Sequence, residues 1–222
     1  VRKYLNHKIS FGAEFAMVSP TKSESTEASQ SDNGANPSAR EAEWKQLVQE
    51  GTGAFERERY TVAEISFKSA LELAEKLLEE LTGTTETPKS AEPPKADLEA
   101  ARDRLAKSLN NLAALYHVQG KYGLAEELYE KCLDLKLEMY GEEHLEVAVN
   151  LHNLAVLHSA KRKFPKAELL YKRAIEIREK LLGAEHKDLV PVLKNFALLL
   201  KKTNRADESA AIEQRVTAIE AT

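Results

Sequence analysis

Leu109–His144 reads LNNLAALYHVQGKYGLAEELYEKCLDLKLEMYGEEH, and Leu151–His186 reads LHNLAVLHSAKRKFPKAELLYKRAIEIREKLLGAEH. These are one unit written twice at a step of 42: Asn111 and Asn153, Ala113 and Ala155, Ala125 and Ala167, Tyr129 and Tyr171, Gly141 and Gly183, His144 and His186 all keep it. A third copy follows with Asn195 and Ala197. A fixed period of this length marks a repeat architecture, in which each unit buries its apolar face only against its neighbours.

Each unit holds two amphipathic runs around a short polar break. In the first run Leu109, Leu112, Ala113, Leu115 and Tyr116 recur at helical spacing. Gly120-Lys121 interrupts, since glycine disfavours helix and favours turns. Ala125, Leu128, Tyr129, Cys132, Leu133 and Leu135 then form a second helical face. The unit is therefore helix, tight turn, helix. Its small residues let helices approach to roughly 8–10 Å, and its large ones fill the remaining gaps.

The pattern Leu109-x2-Leu112-Ala113-x2-Tyr116 followed by Ala125-x3-Tyr129, repeated as Leu151-x2-Leu154-Ala155-x2-His158 and Ala167-x3-Tyr171, resembles the tetratricopeptide repeat. The long step, LNNLA, GKY, AEELYEKCL and the Gly-x2-His link are similar to the lengthened repeat of kinesin light chains, over roughly 105–200. The resemblance implies an all-α, tetratricopeptide-type α-solenoid: a right-handed superhelix of antiparallel helix pairs closed by a C-terminal capping helix. It also implies a non-catalytic module that binds protein.

The chain has 222 residues, 42% hydrophobic and 31% charged, with net charge −4. That fits a helical protein with charged faces and gives no bulk attraction to nucleic acid or membrane. One cysteine, Cys132, allows no internal disulfide. No apolar run approaches the ~18 residues that span a bilayer, and no secretory pattern opens the chain. The expectation is a cytoplasmic protein.

Two domains follow: an arm at 1–39, and a repeat domain at 40–222 with units at 40–82, 97–141, 145–183 and 187–222. Residues 1–16 are either vector-derived sequence ahead of Met17, with Gly12-Ala13-Glu14-Phe15 resembling a cloning scar, or a native arm. Residues 18–39 are too polar to fold alone, so disorder is expected. The first unit is degenerate. Glu50 stands where Leu112 stands later, and Gly51 and Gly53 weaken its first helix by about 1 kcal/mol each. Thr82–Lys95, with three prolines, is expected to be an extended mobile loop before a helix capped by Asp97. Pro191 falls in a first helical turn, where it is tolerated, and Asn204-Arg205 makes the last turn. The final helix replaces the patterned residues with Ala206, Ser209 and Glu213, as the last unit of a stack requires.

No constellation for catalysis, phosphate binding or cofactor capture is found. His144 and His186 recur in linkers, which points to a helix-entry or packing role rather than a ligand role. His152 and His158 are six apart, a spacing that does not make a helical metal pair. Cys132 replaces Ala70 and Ala174 and reads as core.

Family geometry places the first helices of each pair on a concave wall. On this chain that wall carries Lys107, Asn110, Asn111 and His117, then Val149, His152, Asn153 and Val156, then Lys194, Asn195, Leu198, Lys201 and Lys202. The ladder Asn111, Asn153, Asn195 offers donors and acceptors to an extended peptide, or else bonds locally to neighbouring helices; both readings stand. Lys187, Lys194, Lys201, Lys202 and Arg205 face only Asp188 between 187 and 205, which predicts a positive pocket for an acidic peptide or terminal carboxylate. The resemblance points the same way. Kinesin light chains hold acidic and aromatic cargo peptides in this groove, and co-chaperone repeats clamp a carboxylate with Lys and Asn. The expected partner is thus a protein or peptide, with no cofactor, metal, nucleic acid or membrane. The alternatives are a self-assembling homo-oligomeric scaffold and a regulatory domain of a larger protein.

Overall fold

The polar breaks in the sequence become turns of one repeated geometry. A computed structural model describes residues 37–83 and 93–221. Its helices are α1 (Pro37–Glu56), α2 (Tyr60–Thr82), α3 (Lys95–Val118), α4 (Tyr122–Tyr140), α5 (Leu145–Ala160), α6 (Phe164–Leu182), α7 (Val190–Lys202) and α8 (Ala206–Glu220). No strand occurs among the described residues. The expected arm lies almost wholly outside the described residues, as do positions 84–92 of the expected loop.

Each pair closes on a residue with positive φ: Glu58 (57°), Gly120 (74°), Arg162 (58°) and Asn204 (61°). These hold one register position. In the second pair the Gly120 N–H reaches the His117 carbonyl at 2.9 Å, and the Lys121 N–H reaches Tyr116 at 2.8 Å. The same two bonds recur at 58–59, 162–163 and 204–205. This is the Schellman cap, which satisfies the orphan carbonyls of a helix end.

Lys121 and Arg205, which follow these caps, occupy N-cap positions but make no side-chain cap bond. A cation suits that place poorly. Both serve a different contact. Lys121 Nζ lies 3.1 Å from Glu64, and Arg205 Nη1 lies 2.6 Å from Glu168. Glu64 and Glu168 hold the same register, each with a lysine one turn on, Lys68 at 2.9 Å and Lys172 at 2.7 Å. Hydrogen bonds from Lys68, then Lys121 and Gln119, hold the Glu64 carboxyl down at about 2. Each clasp ties the second helix of one pair to the turn of the next.

The helices fall into two compact units, divided at 141/142. In the first, α3 packs on both α2 and α4. Trp44, Val48, Ala70 and Ala74 form one cluster, and Ala106, Leu109 and Cys132 another. Ser108 sits between α1 and α2: its Oγ accepts from the Trp44 indole at 2.9 Å and donates to the Arg104 carbonyl at 2.9 Å. Cys132 is buried, its Sγ 3.2 Å from the Ala106 carbonyl. In the second unit α6 packs on α5 and α7, and α7 on α8, around Leu154, Leu157, Tyr171, Ile177, Leu193, Phe196 and Leu200.

Several expectations change in detail. Asp97 is not the cap of α3: Pro94 holds that place, and the Asp97 N–H bonds to the Pro94 carbonyl at 3.0 Å within the first turn. Glu50 is exposed on α1 and does not interrupt a packed face. Gly51 is a packing residue, because a Cβ there would stand 2.5 Å from the Phe67 ring. Pro191 does lie in the first turn of α7, and Ser209, wholly buried, donates to the Ala197 carbonyl at 2.9 Å.

Candidate functional site

Of the two roles their recurrence allowed, helix entry or packing, the linker histidines take helix entry. His144 Nδ1 accepts from the Glu146 N–H and His186 Nδ1 from the Asp188 N–H, both at 3.2 Å. An acceptor at that position satisfies one of the four orphan N–H groups of a helix start.

The first helices carry the expected wall residues, and burial sorts them into two classes. Asn110, Asn111 and Asn153 have no accessible surface, and His117, His152 and Asn195 are also buried. This corrects the ladder expectation: side chains enclosed in this way offer no hydrogen bond to a ligand in this conformation. Asn195 takes the local alternative. Its Nδ2 lies 2.9 Å from His152 Nε2, joining α7 to α5. With the amide donating, the ring nitrogen is bare. That agrees with a His152 imidazole pushed down to about 3 by burial and by the Arg178 charge. His152 also stands beside Tyr171, which in turn stands beside Phe196 (ring centres 5.9 Å in each case). Burial alone pushes His117 down to about 4, its ring edge-on to Tyr122 at 5.4 Å.

The other predicted residues keep accessible surface. Lys107 is half-buried and paired with Asp103 at 2.6 Å. Val149 and Val156 are half-buried on α5. Lys194, Leu198, Lys201 and Lys202 are exposed on α7. Leu198, 42% accessible, is one of few large apolar side chains among the described residues that face solvent. With Lys194, Asn195 and Lys201 it lines an open hollow of about 430 Å³, closed on the other side by Glu213, Val216, Thr217 and Glu220 of α8.

The expected positive pocket is also corrected. Lys194 Nζ lies 2.6 Å from Glu220, and Lys201 pairs with Glu213. Arg205 is held by Glu168 and Glu208, both at 2.6 Å. Lys187 and Lys202 have no ion-pair partner among the described residues. The run of cations in the sequence is balanced by carboxylates from α6 and α8.

Among the described residues no helix is long and apolar enough to cross a membrane. Residues 104–180 match the family model for the tetratricopeptide repeat. No curated protein matches the chain. Among solved structures the fold is similar to BtubC (BKLC) from P. vanneervenii, at TM-score 0.51 and 19% identity, covering 82% of this chain and 91% of that one. It is similar too to a putative kinesin light chain of nearly identical TPR-like repeats from Podosopora anserina, at TM-score 0.50 and 17% identity, covering 85% and 98%. At these identities the likeness is one of fold. With residues 104–180 matched and its helix pairs built in this way, the chain has an all-α fold of the tetratricopeptide-repeat type.

Proposed function

We propose that this protein binds a linear, acidic peptide segment of a partner protein on the first helices of its last two pairs, α5 and α7, without catalysis. Repeats of this family generally mediate protein–protein interaction. The observation that carries the finer reading is the α7 face, where exposed Leu198 lies among Lys194, Lys201 and Lys202 over an open hollow. An apolar contact flanked by cations suits a segment that alternates apolar and acidic residues. The peptide-contacting set, all within the unit that begins at 142, is Val149, Val156, Lys194, Leu198, Lys201 and Lys202, while the buried Asn153, Asn195 and His152 hold the helices that present it.

The probe is a fluorescein-labelled, end-blocked peptide of alternating Glu and Leu, with a Lys and Leu peptide as control. Anisotropy is expected to show binding of the acidic peptide only. Leu198→Asp and Lys202→Glu should each weaken it at least about tenfold, the scale of a central contact, with thermal melting unchanged. Equal binding of both peptides, or indifference to both substitutions, would rule the reading out.

A further inference from the structure

The last helix pair departs from the two before it at four register positions together. Those positions hold Asn110, His117, Tyr129 and Lys136 in α3 and α4, and His152, Ser159, Tyr171 and Arg178 in α5 and α6. All eight are buried. In α7 and α8 they are Lys194, Lys201, Glu213 and Glu220, and all four are exposed. A terminal helix pair requires only polarity at such places. Here the replacements are charged, opposite in sign across the hollow, and matched in spacing. Two lysines seven residues apart on α7 meet two glutamates seven residues apart on α8, Lys194 with Glu220 at 2.6 Å and Lys201 with Glu213. Leu198 stands open between the two pairs.

We propose that α8 carries a built-in competitor: Glu213 and Glu220 occupy Lys194 and Lys201 as the carboxylates of an acidic peptide would, and the peptide must displace them. The proposal rests on the peptide-binding reading above. Seven helical residues rise about 10 Å, so a ligand with two carboxylates at that separation replaces both internal partners at once. A ligand with one leaves a lysine on its glutamate and meets the repulsion of the other. Exposed pairs of this kind are individually weak, so the mask selects among ligands without closing the site.

Two measurements on the full chain test this. The first is trace acetylation read by mass spectrometry. Lys194 and Lys201 should react more slowly than Lys187 and Lys202 in the wild type, and at the same rate as them in Glu213→Gln/Glu220→Gln. Equal rates in the wild type overturn the mask. The second is binding of the Glu and Leu probe, expected to tighten about 3- to 10-fold in the double variant and to lose that advantage as salt rises. Binding equal in the two proteins overturns the mask and leaves the peptide reading in place. Binding by neither overturns the peptide reading and the competitor with it. The Gln side chains keep volume and are half-exposed, and matching melting curves confirm that the fold is retained.

Discussion

Gly51 and Gly53 stand two residues apart in α1 and are expected to answer alanine in opposite directions. A Cβ at Gly51 meets the Phe67 ring at 2.5 Å, whereas one at Gly53 meets only the end of Arg57, at 3.8 Å. Gly51→Ala should lower stability by about 1–3 kcal/mol through overpacking, and Phe67→Leu in the same chain should recover part of it. Gly53→Ala should raise stability by about 0.5–1 kcal/mol from helix propensity alone. Chemical unfolding of the three variants checks both signs. Sequence reading treats the two glycines alike, because propensity is a property of one residue and the Phe67 contact is a property of two. The asparagines mislead for a related reason. Their period puts Asn111, Asn153 and Asn195 on one helix position, and their polarity suggests water. Which side of that position a neighbouring helix covers is not encoded in the period.

The turn between paired helices is the most uniform element of the molecule, and half of its chemistry is visible in sequence. Gly120 and Asn204 are residue types that accept a left-handed backbone. Glu58 and Arg162 are not, and only their register reveals that they share the conformation. A non-glycine residue pays roughly 1 kcal/mol or more there. Arg162→Gly should therefore stabilise by up to about 1 kcal/mol, and Gly120→Ala should destabilise by about the same amount, since space around Gly120 is open and only its φ of +74° matters. Melting temperatures of the two variants test the pair of signs. The helices themselves were readable from periodicity, which left entry and packing both open for His144 and His186. The charge balance of the last pair was not, because Glu213 and Glu220 lie 12 and 26 residues from their lysines.

At the scale of the molecule, buried neutral histidines make the fold sensitive to acid. His152 and His117 are held to about 3 and about 4 against an ordinary 6.5. The unfolded chain therefore binds more protons than the folded one below about pH 6.5, and stability falls as pH drops toward 4. Glu64 acts in the same direction at lower pH: its carboxyl is held to about 2 from 4.5, and its contribution fades as pH falls through that window. Between pH 7 and 4.5 the loss should be of order 2–3 kcal/mol per buried histidine, read as a lower urea midpoint. A midpoint independent of pH across that interval would contradict the assigned burial. The single tryptophan offers a way to see where such loss begins. Trp44 is enclosed and its indole N–H is held by Ser108, within the unit that ends at 141. Its emission colour reports on that half of the polypeptide alone, while far-ultraviolet dichroism counts every helix. Two optical signals recorded together on one unlabelled sample thus separate the melting of one half from the melting of the other.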